Sequence, residues 1–165
     1  MPVEFIRKNE GAIKELTRRL DAIRRQKVKV GILENKTARK NELMTNSYIG
    51  YINENGSPEN HIPARPFLRP AMLANQEFIS SRLADGVEDE ILGRKHGLRI
   101  ALGEVGKTVR DSAKANIVNQ VNFQSLSPKT LEYRAMEGFK GTKALIRTGQ
   151  LLNSIHYKID NFDDD

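Results

Sequence analysis

The stretch Leu98–Val121, LRIALGEVGKTVRDSAKANIVNQV, decides the fold of this chain. Leu98, Leu102, Val105, Val109, Ala113, Ile117 and Val121 recur at steps of three and four, which gathers them into one seam of a long helix. A helix with a single apolar seam must bury it, so the remaining elements pack around it. The same stretch holds the nearest approach to an enzyme motif. Ala101-Leu-Gly-Glu-Val-Gly106-Lys107-Thr108 matches the phosphate loop G-x-x-x-x-G-K-[ST] except for Ala101 in place of the first Gly. That loop works only where a strand leads into it and a helix presents its N-terminus after it. Here the apolar period runs straight through, interrupted only by Gly103 and Gly106, and glycines inside a helix are tolerated at about 1 kcal/mol each. The segment reads as helix, with no nucleotide site and no cofactor.

Upstream, Ile13, Leu16, Leu20 and Ile23 form a narrow stripe within Gly11–Arg25, predicting an amphipathic helix. In Lys27–Leu33, Val28, Val30 and Ile32 alternate with Lys27, Lys29 and Gly31, the pattern of a half-buried strand. Residues 34–45 show no period and read as a loop carrying Lys36, Arg39 and Lys40. Asn46–Asn55 suits a short helix closed by Gly56. The prolines of His61-Ile-Pro-Ala-Arg-Pro-Phe-Leu-Arg-Pro70 push their predecessors out of helical geometry, so the segment should be extended up to Pro70. Pro70 then opens a helix through Ala71, Phe78 and Leu83 to about Ala84, with Asp85-Gly86 and Gly93 as breaks.

Downstream, Ser127-Pro128 is a helix start with a serine cap and proline in the first turn. The helix runs through Leu131 and Ala135 and ends at Gly138. A basic loop, Gly138–Lys143, precedes one or two helical turns at Thr148–Ser154 and a last strand bearing Ile155, Tyr157 and Ile159. The expected fold is α+β: a small, mainly antiparallel sheet packed with several helices, one of them long, over about residues 98–121. The expected organisation is an N-terminal amphipathic helix (1–26), one α+β domain (27–159) and an acidic tail (160–165).

Composition bounds the function. At 165 residues a single core suffices. There are 27 Lys and Arg against 21 Asp and Glu, and four of the acids lie in Asp160–Asp165, so residues 1–159 carry 27 bases against 17 acids. With no Cys, disulfide frameworks, zinc ribbons and thiol nucleophiles drop out. No apolar run is long enough to span a bilayer, and the first residues are too charged for a secretory signal, so no membrane partner is expected. The absence of Trp and the presence of only ten Phe and Tyr count against a sugar site or an aromatic stacking platform. His61, His96 and His156 are isolated from one another and from clustered acids, so no metal site is expected. No nucleophile–base spacing occurs, and Glu88, Asp89 and Glu90 point in different directions on a helix. No catalytic residues are assigned.

Basic residues carry the stronger signal. Arg18, Arg19, Arg24, Arg25, Lys27 and Lys29 crowd one helix end and the following strand, and Arg94, Lys95 and Arg99 flank His96. Lys140, Lys143 and Arg147 line a late glycine-bearing loop. Such loops suit phosphate contact without base reading, so a sequence-independent nucleic-acid-binding module is one reading. No helix-turn-helix or RNA-recognition signature accompanies it. The segment His61–Pro70 admits two readings. It is either a rigid anchor presenting Phe67 and Leu68 between Arg65 and Arg69 to a partner, or a connector that packs Phe67 into its own core.

The order of several motifs resembles the tail-completion and neck proteins of long-tailed bacteriophages, the head–tail joining or virion morphogenesis group. The motifs are Val28-Lys-Val-Gly-Ile32, Tyr48-Ile-Gly-Tyr-Ile-Asn-Glu54-Asn-Gly56, Ile62-Pro-Ala-Arg-Pro-Phe-Leu-Arg-Pro70, Ser127-Pro-Lys-Thr130 and Ala144-Leu-Ile-Arg-Thr-Gly-Gln-Leu-Leu-Asn-Ser-Ile155. The likeness covers about Val28–Ile159, and its most specific pieces are the Ile62–Pro70 and Ala144–Ile155 blocks. The chain departs from the family pattern at Asn55, where an aromatic is usual, and at Arg147, where an acid precedes Thr-Gly.

The resemblance implies a non-enzymatic virion protein, assembled in the host cytoplasm. It would form a homo-oligomeric ring, hexameric or dodecameric, between head connector or adaptor and tail tube or terminator, around the DNA channel. It places interface residues at Ile62, Arg65, Phe67, Leu68, Arg69, Thr148, Gln150, Leu151 and Ser154. Lys36, Arg39, Lys40, Lys140 and Lys143 become candidates for facing neighbours or contacting packaged DNA without sequence preference. A ring needs two different, complementary patches on each subunit, and the opposite charges of the body and of Asp160–Asp165 fit that need.

Overall fold

A computed structural model of the chain describes residues 2–33, 45–94 and 96–161, with side chains from Asn9 onward. Lys36, Arg39, Lys40, Lys95 and Asp163–Asp165 lie outside the described residues. The fold is α+β, with a two-stranded antiparallel sheet and seven helices among the described residues. In chain order the elements are α1 (Pro2–Arg25), β1 (Gln26–Ile32), α2 (Asn46–Asn55), a 3-10 turn (Pro58–Asn60) and α3 (Leu68–Ala74). There follow α4 (Gln76–Ile91), α5 (Gly97–Asn119), α6 (Pro128–Met136), α7 (Gln150–Asn153) and β2 (Ile155–Asn161), and β1 pairs with β2. The chain forms two compact units. Among the described residues one comprises 2–29, 77–94, 96–106 and 158–161, and the other 30–33, 45–76 and 107–157.

In the first unit the core is built on the early part of α5, where Leu98, Ala101, Leu102 and Val105 are buried. Gly86, expected as a break, is buried inside α4. A β-carbon there would lie 2.5 Å from the Ala101 side chain and 3.1 Å from the Leu98 backbone. The glycine therefore marks where two helices touch rather than where one stops. The apolar stripe on α1 is open: Ile13 is 62%, Leu16 43% and Leu20 42% exposed. The helix runs directly into the strand, β1 starting at the residue after Arg25.

Several charges in this unit are paired. Arg19 donates to the Ile91 carbonyl at 2.8 Å, placing a cation at the end of α4, where the helix dipole favours one. Arg82 pairs with Glu104, and Arg94 with Asp89 at 2.5 Å. Asp160, the first acid of the terminal run, lies buried in β2 between Lys158 at 2.6 Å and Lys29 at 3.7 Å. Arg18 and Arg19 both hydrogen-bond Glu15 at 2.8–2.9 Å. Arg18 first and Arg19 second hold the Glu15 carboxyl down to about 2, against an ordinary 4.5. A carboxylate depressed in the fold stabilises it fully above its unfolded pKa and loses that contribution as pH falls through the folded one. The Glu15 contribution should therefore disappear between pH 4.5 and about 2. An NMR titration of its side-chain carboxyl should show a midpoint near the lower value. A midpoint near 4.5 would mean the two arginines do not hold it in solution.

The second unit is built on the later part of α5. Val109, Ala113 and Ile117 are buried, as are Phe67, Ala71, Ala144, Leu151 and Ile155. The predicted seam is thus buried along the helix, but α5 stops at Asn119 and Val121 is 38% exposed. Gln120 takes a left-handed backbone, φ 56°. Its side chain leaves the helix to bond both backbone groups of Ala144, receiving the N–H at 2.6 Å and donating to the carbonyl at 3.0 Å. Lys143 covers the α5 terminus by donating from Nζ to the Val118 carbonyl at 2.7 Å. α6 starts as expected, with the Ser127 hydroxyl accepting from the Thr130 N–H at 3.2 Å.

α3 begins two residues before the expected start at Pro70. Asn75 ends it by donating its side-chain amide to the Ala71 carbonyl at 2.7 Å, and α4 follows as a separate helix. The single helix expected over about 71–84 is therefore two, the second continuing to Ile91.

Candidate functional site

The Ile62–Pro70 block is held by an acid from α2. The Glu54 carboxylate accepts from the backbone N–H groups of Phe67 at 2.8 Å, Leu68 at 3.0 Å and Arg69 at 2.8 Å. These are the unpaired donors that open any helix, and Phe67, in the capping position of α3, has no side-chain acceptor of its own. The fourth such position is Pro70, which has no N–H. One carboxylate and one proline thus account for the whole N-terminus of α3, with the anion at the positive end of the helix dipole.

Gly56 ends α2 at φ 78°, and a β-carbon there would meet the Ala64 nitrogen at 2.9 Å. Any other residue would push the proline segment away from α2. The Arg65 N–H closes the join onto the Asn53 carbonyl at 2.6 Å.

This geometry turns Phe67 inward. It is fully buried, and its carbonyl accepts from the Asn116 amide at 3.1 Å. Of the two readings of the segment, the structure takes the core-packing one for Phe67. Arg65 is also buried, at 7% exposure, and donates Nε to the Gln124 carbonyl at 3.1 Å. Leu68 is half-buried and Arg69 exposed.

Two concavities flank this backbone. An open cleft of about 810 Å³ lies between Gly56–Arg65 and Gln124–Thr130, and Ile62 lines it. A smaller pocket of about 220 Å³ brings together Arg65, Arg134 and Arg147 with Thr148–Leu151. The Ile62–Pro70 and Thr148–Ser154 segments, singled out separately in the sequence, therefore meet at this pocket. Gln150 and Thr148 are exposed, Leu151 is buried, and the half-buried Ser154 bonds the Leu151 carbonyl at 2.7 Å.

Arg134 is 8% exposed and donates Nη1 to the carbonyls of Gly141 at 3.1 Å and Lys143 at 2.9 Å. Arg147 pairs with Glu137 and lies over the Phe139 ring at 4.9 Å. Glu137 also holds the Tyr133 phenol, raising it above its ordinary range. Arg134 is not among the sequence candidates. It sits in an ordinary amphipathic helix, and nothing local distinguishes a cation that folds inward.

Of the basic candidates, Lys140 is exposed, whereas Lys143 is engaged with the end of α5. Lys36, Arg39 and Lys40 fall outside the described residues. The phosphate-loop-like stretch Ala101–Thr108 is helical throughout. Among the described residues no group of three His, Asp or Glu is placed to hold a metal, and no helix is long and apolar enough to cross a membrane.

Comparison with protein-family models, curated proteins and solved structures finds no match. What the site does must be read from its own residues.

Proposed function

We propose that this chain is a structural subunit of the head–tail joint of a long-tailed bacteriophage. It assembles into a homo-oligomeric ring around the DNA channel, between head connector and tail tube. The observation that carries this reading is the ordered pair of motif blocks, Ile62–Pro70 and Ala144–Ile155, which resemble the corresponding blocks of tail-completion and neck proteins. Two structural facts support it. Both blocks contribute to the same 220 Å³ pocket, so they serve one local construction. The single chain also leaves large apolar side chains open: Tyr51 (68% exposed), Leu73 (64%) and Met136 (85%) in one unit, and the α1 stripe in the other. Such surface is what a subunit with two different contact faces needs.

The alternative, a sequence-independent nucleic-acid-binding module, fits less well. Arg18, Arg19, Arg94 and Lys29 each have a carboxylate partner that lowers their pull on phosphate.

The test is assembly. Purified full-length chain, alone and with the tail-tube protein of the same phage, should form closed rings in negative-stain images and native mass spectra. A phage lacking the gene should accumulate unjoined heads and tails. A chain that stays monomeric in both mixtures, together with normal joining in its absence, would overturn the reading.

A further inference from the structure

The 220 Å³ pocket contains more positive charge than its own residues answer. A guanidinium has five N–H donors and can match a carboxylate with two of them. Arg65 makes one side-chain hydrogen bond, from Nε to Gln124, and Arg134 makes its two from a single nitrogen. Among the described residues neither side chain makes a further hydrogen bond, and no carboxylate pairs with either. Because no buried side-chain nitrogen or oxygen there lacks a partner, their free donors open onto solvent in the pocket. The neighbouring Arg147 shares Glu137 with Tyr133. Three guanidiniums thus line one pocket with a single, shared carboxylate. Burial first, and then the charge of Arg134, pulls Arg65 below the ordinary arginine value. Burial and Arg147 do the same to Arg134. Like charges gathered in one pocket repel one another, and an anion placed among them relieves that repulsion.

The shape of the pocket selects the kind of anion. Ile49, Leu126, Leu145 and Leu151 supply apolar wall between the guanidiniums. A volume of about 220 Å³ takes a side-chain-sized group rather than a continuous phosphate backbone, which binds along exposed cations. An acidic segment with an apolar neighbour fits, and this chain has one in Phe162-Asp163-Asp164-Asp165.

We infer that Arg65, Arg134 and Arg147 form a carboxylate socket, filled on assembly by the Phe162–Asp165 segment of a second copy of this chain. The choice of occupant, though not the socket, rests on the ring reading above.

The probe is a peptide of sequence Asn161–Asp165, titrated by calorimetry at about 50 mM salt. The receptor is full-length chain carrying Asp163→Asn, Asp164→Asn and Asp165→Asn, which removes its own competing carboxylates. Saturable one-to-one binding is expected, weakened about tenfold or more when the peptide's three Asp are replaced by Asn. Arg147→Gln in the receptor should weaken it similarly. Arg147 is exposed, so this variant should fold where Arg65 or Arg134 variants fail, and circular dichroism checks that it has. No binding by the folded protein, equal binding of the amide peptide, or indifference to Arg147→Gln would each overturn the socket. Displacement of the peptide by duplex DNA at Arg147-dependent affinity would overturn the carboxylate assignment in favour of phosphate.

Native mass spectrometry separates the occupant from the ring. The triple-Asn chain and the Arg147→Gln chain should each self-associate about tenfold more weakly than the natural chain. Undiminished rings from the triple-Asn chain would overturn the second copy as occupant. Rings without peptide binding would overturn the socket and leave the ring reading standing. Peptide binding by a chain that never self-associates would uphold the socket and overturn both the ring and the second-copy occupant.

Discussion

Phe67→Ala should remove about 3–5 kcal/mol of folding stability, the range for truncating a buried aromatic. Phe67 is fully buried and, with Ile117 and Ile155, among the largest such side chains. Domains are commonly stable by only about 5–15 kcal/mol, so the loss is a substantial fraction of the whole. The thermal midpoint should fall by about 6–20 °C, given about 2–4 °C per kcal/mol for a chain of this size. Urea denaturation of the variant gives the free energy directly. Met72, five residues on and 56% exposed, is the control, and its replacement by Ala should stay within about 0.5 kcal/mol. A Phe67 variant as stable as the Met72 variant would mean that the ring faces outward in solution. The proline segment would then be an anchor for a partner after all.

Glu54→Ala should cost about 2–4 kcal/mol. Each charge-assisted hydrogen bond to a backbone donor contributes roughly 1.5–3 kcal/mol. Three are lost together, at Phe67, Leu68 and Arg69. The sum is less than additive because Arg69 is exposed and water can replace the carboxylate at its N–H. Glu54→Gln separates shape from charge. It keeps one acceptor oxygen in place but removes the anion from the helix terminus, so its stability should fall between that of the natural chain and that of Glu54→Ala. Denaturant melts of the three proteins rank them. A Glu54→Gln chain as stable as the natural one would show that the charge has no part in the clamp.

These two residues show where local pattern stops informing. Phe67 is ambiguous in sequence because an extended proline segment presents successive side chains to opposite sides, and only contacts from α2 and α5 decide which side is interior. The capping acid for α3 lies 13 residues before the first N–H it serves, far outside the few residues in which capping motifs are recognised. Gly86 misleads for a related reason. Glycine breaks helices where nothing holds them, but here it permits close approach of Ala101, and the packing gained outweighs about 1 kcal/mol of helix propensity.

The pocket is the extreme case. Arg65, Arg134 and Arg147 come from an extended segment, a helix and a loop. In sequence they are ordinary members of a basic chain.

The periodic part of this protein is written in its residue order. The apolar seam from Leu98 to Ile117, the serine–proline start of α6 and the existence of β1 and of the closing strand follow from spacing and backbone stereochemistry. Both act over a few residues and need no partner. Packing settled the rest: which glycine is a contact, which aromatic is core, and which cations are neutralised or gathered around one pocket. Those outcomes depend on residues tens of positions apart meeting in space, and the energy of such meetings leaves no periodic trace along the chain.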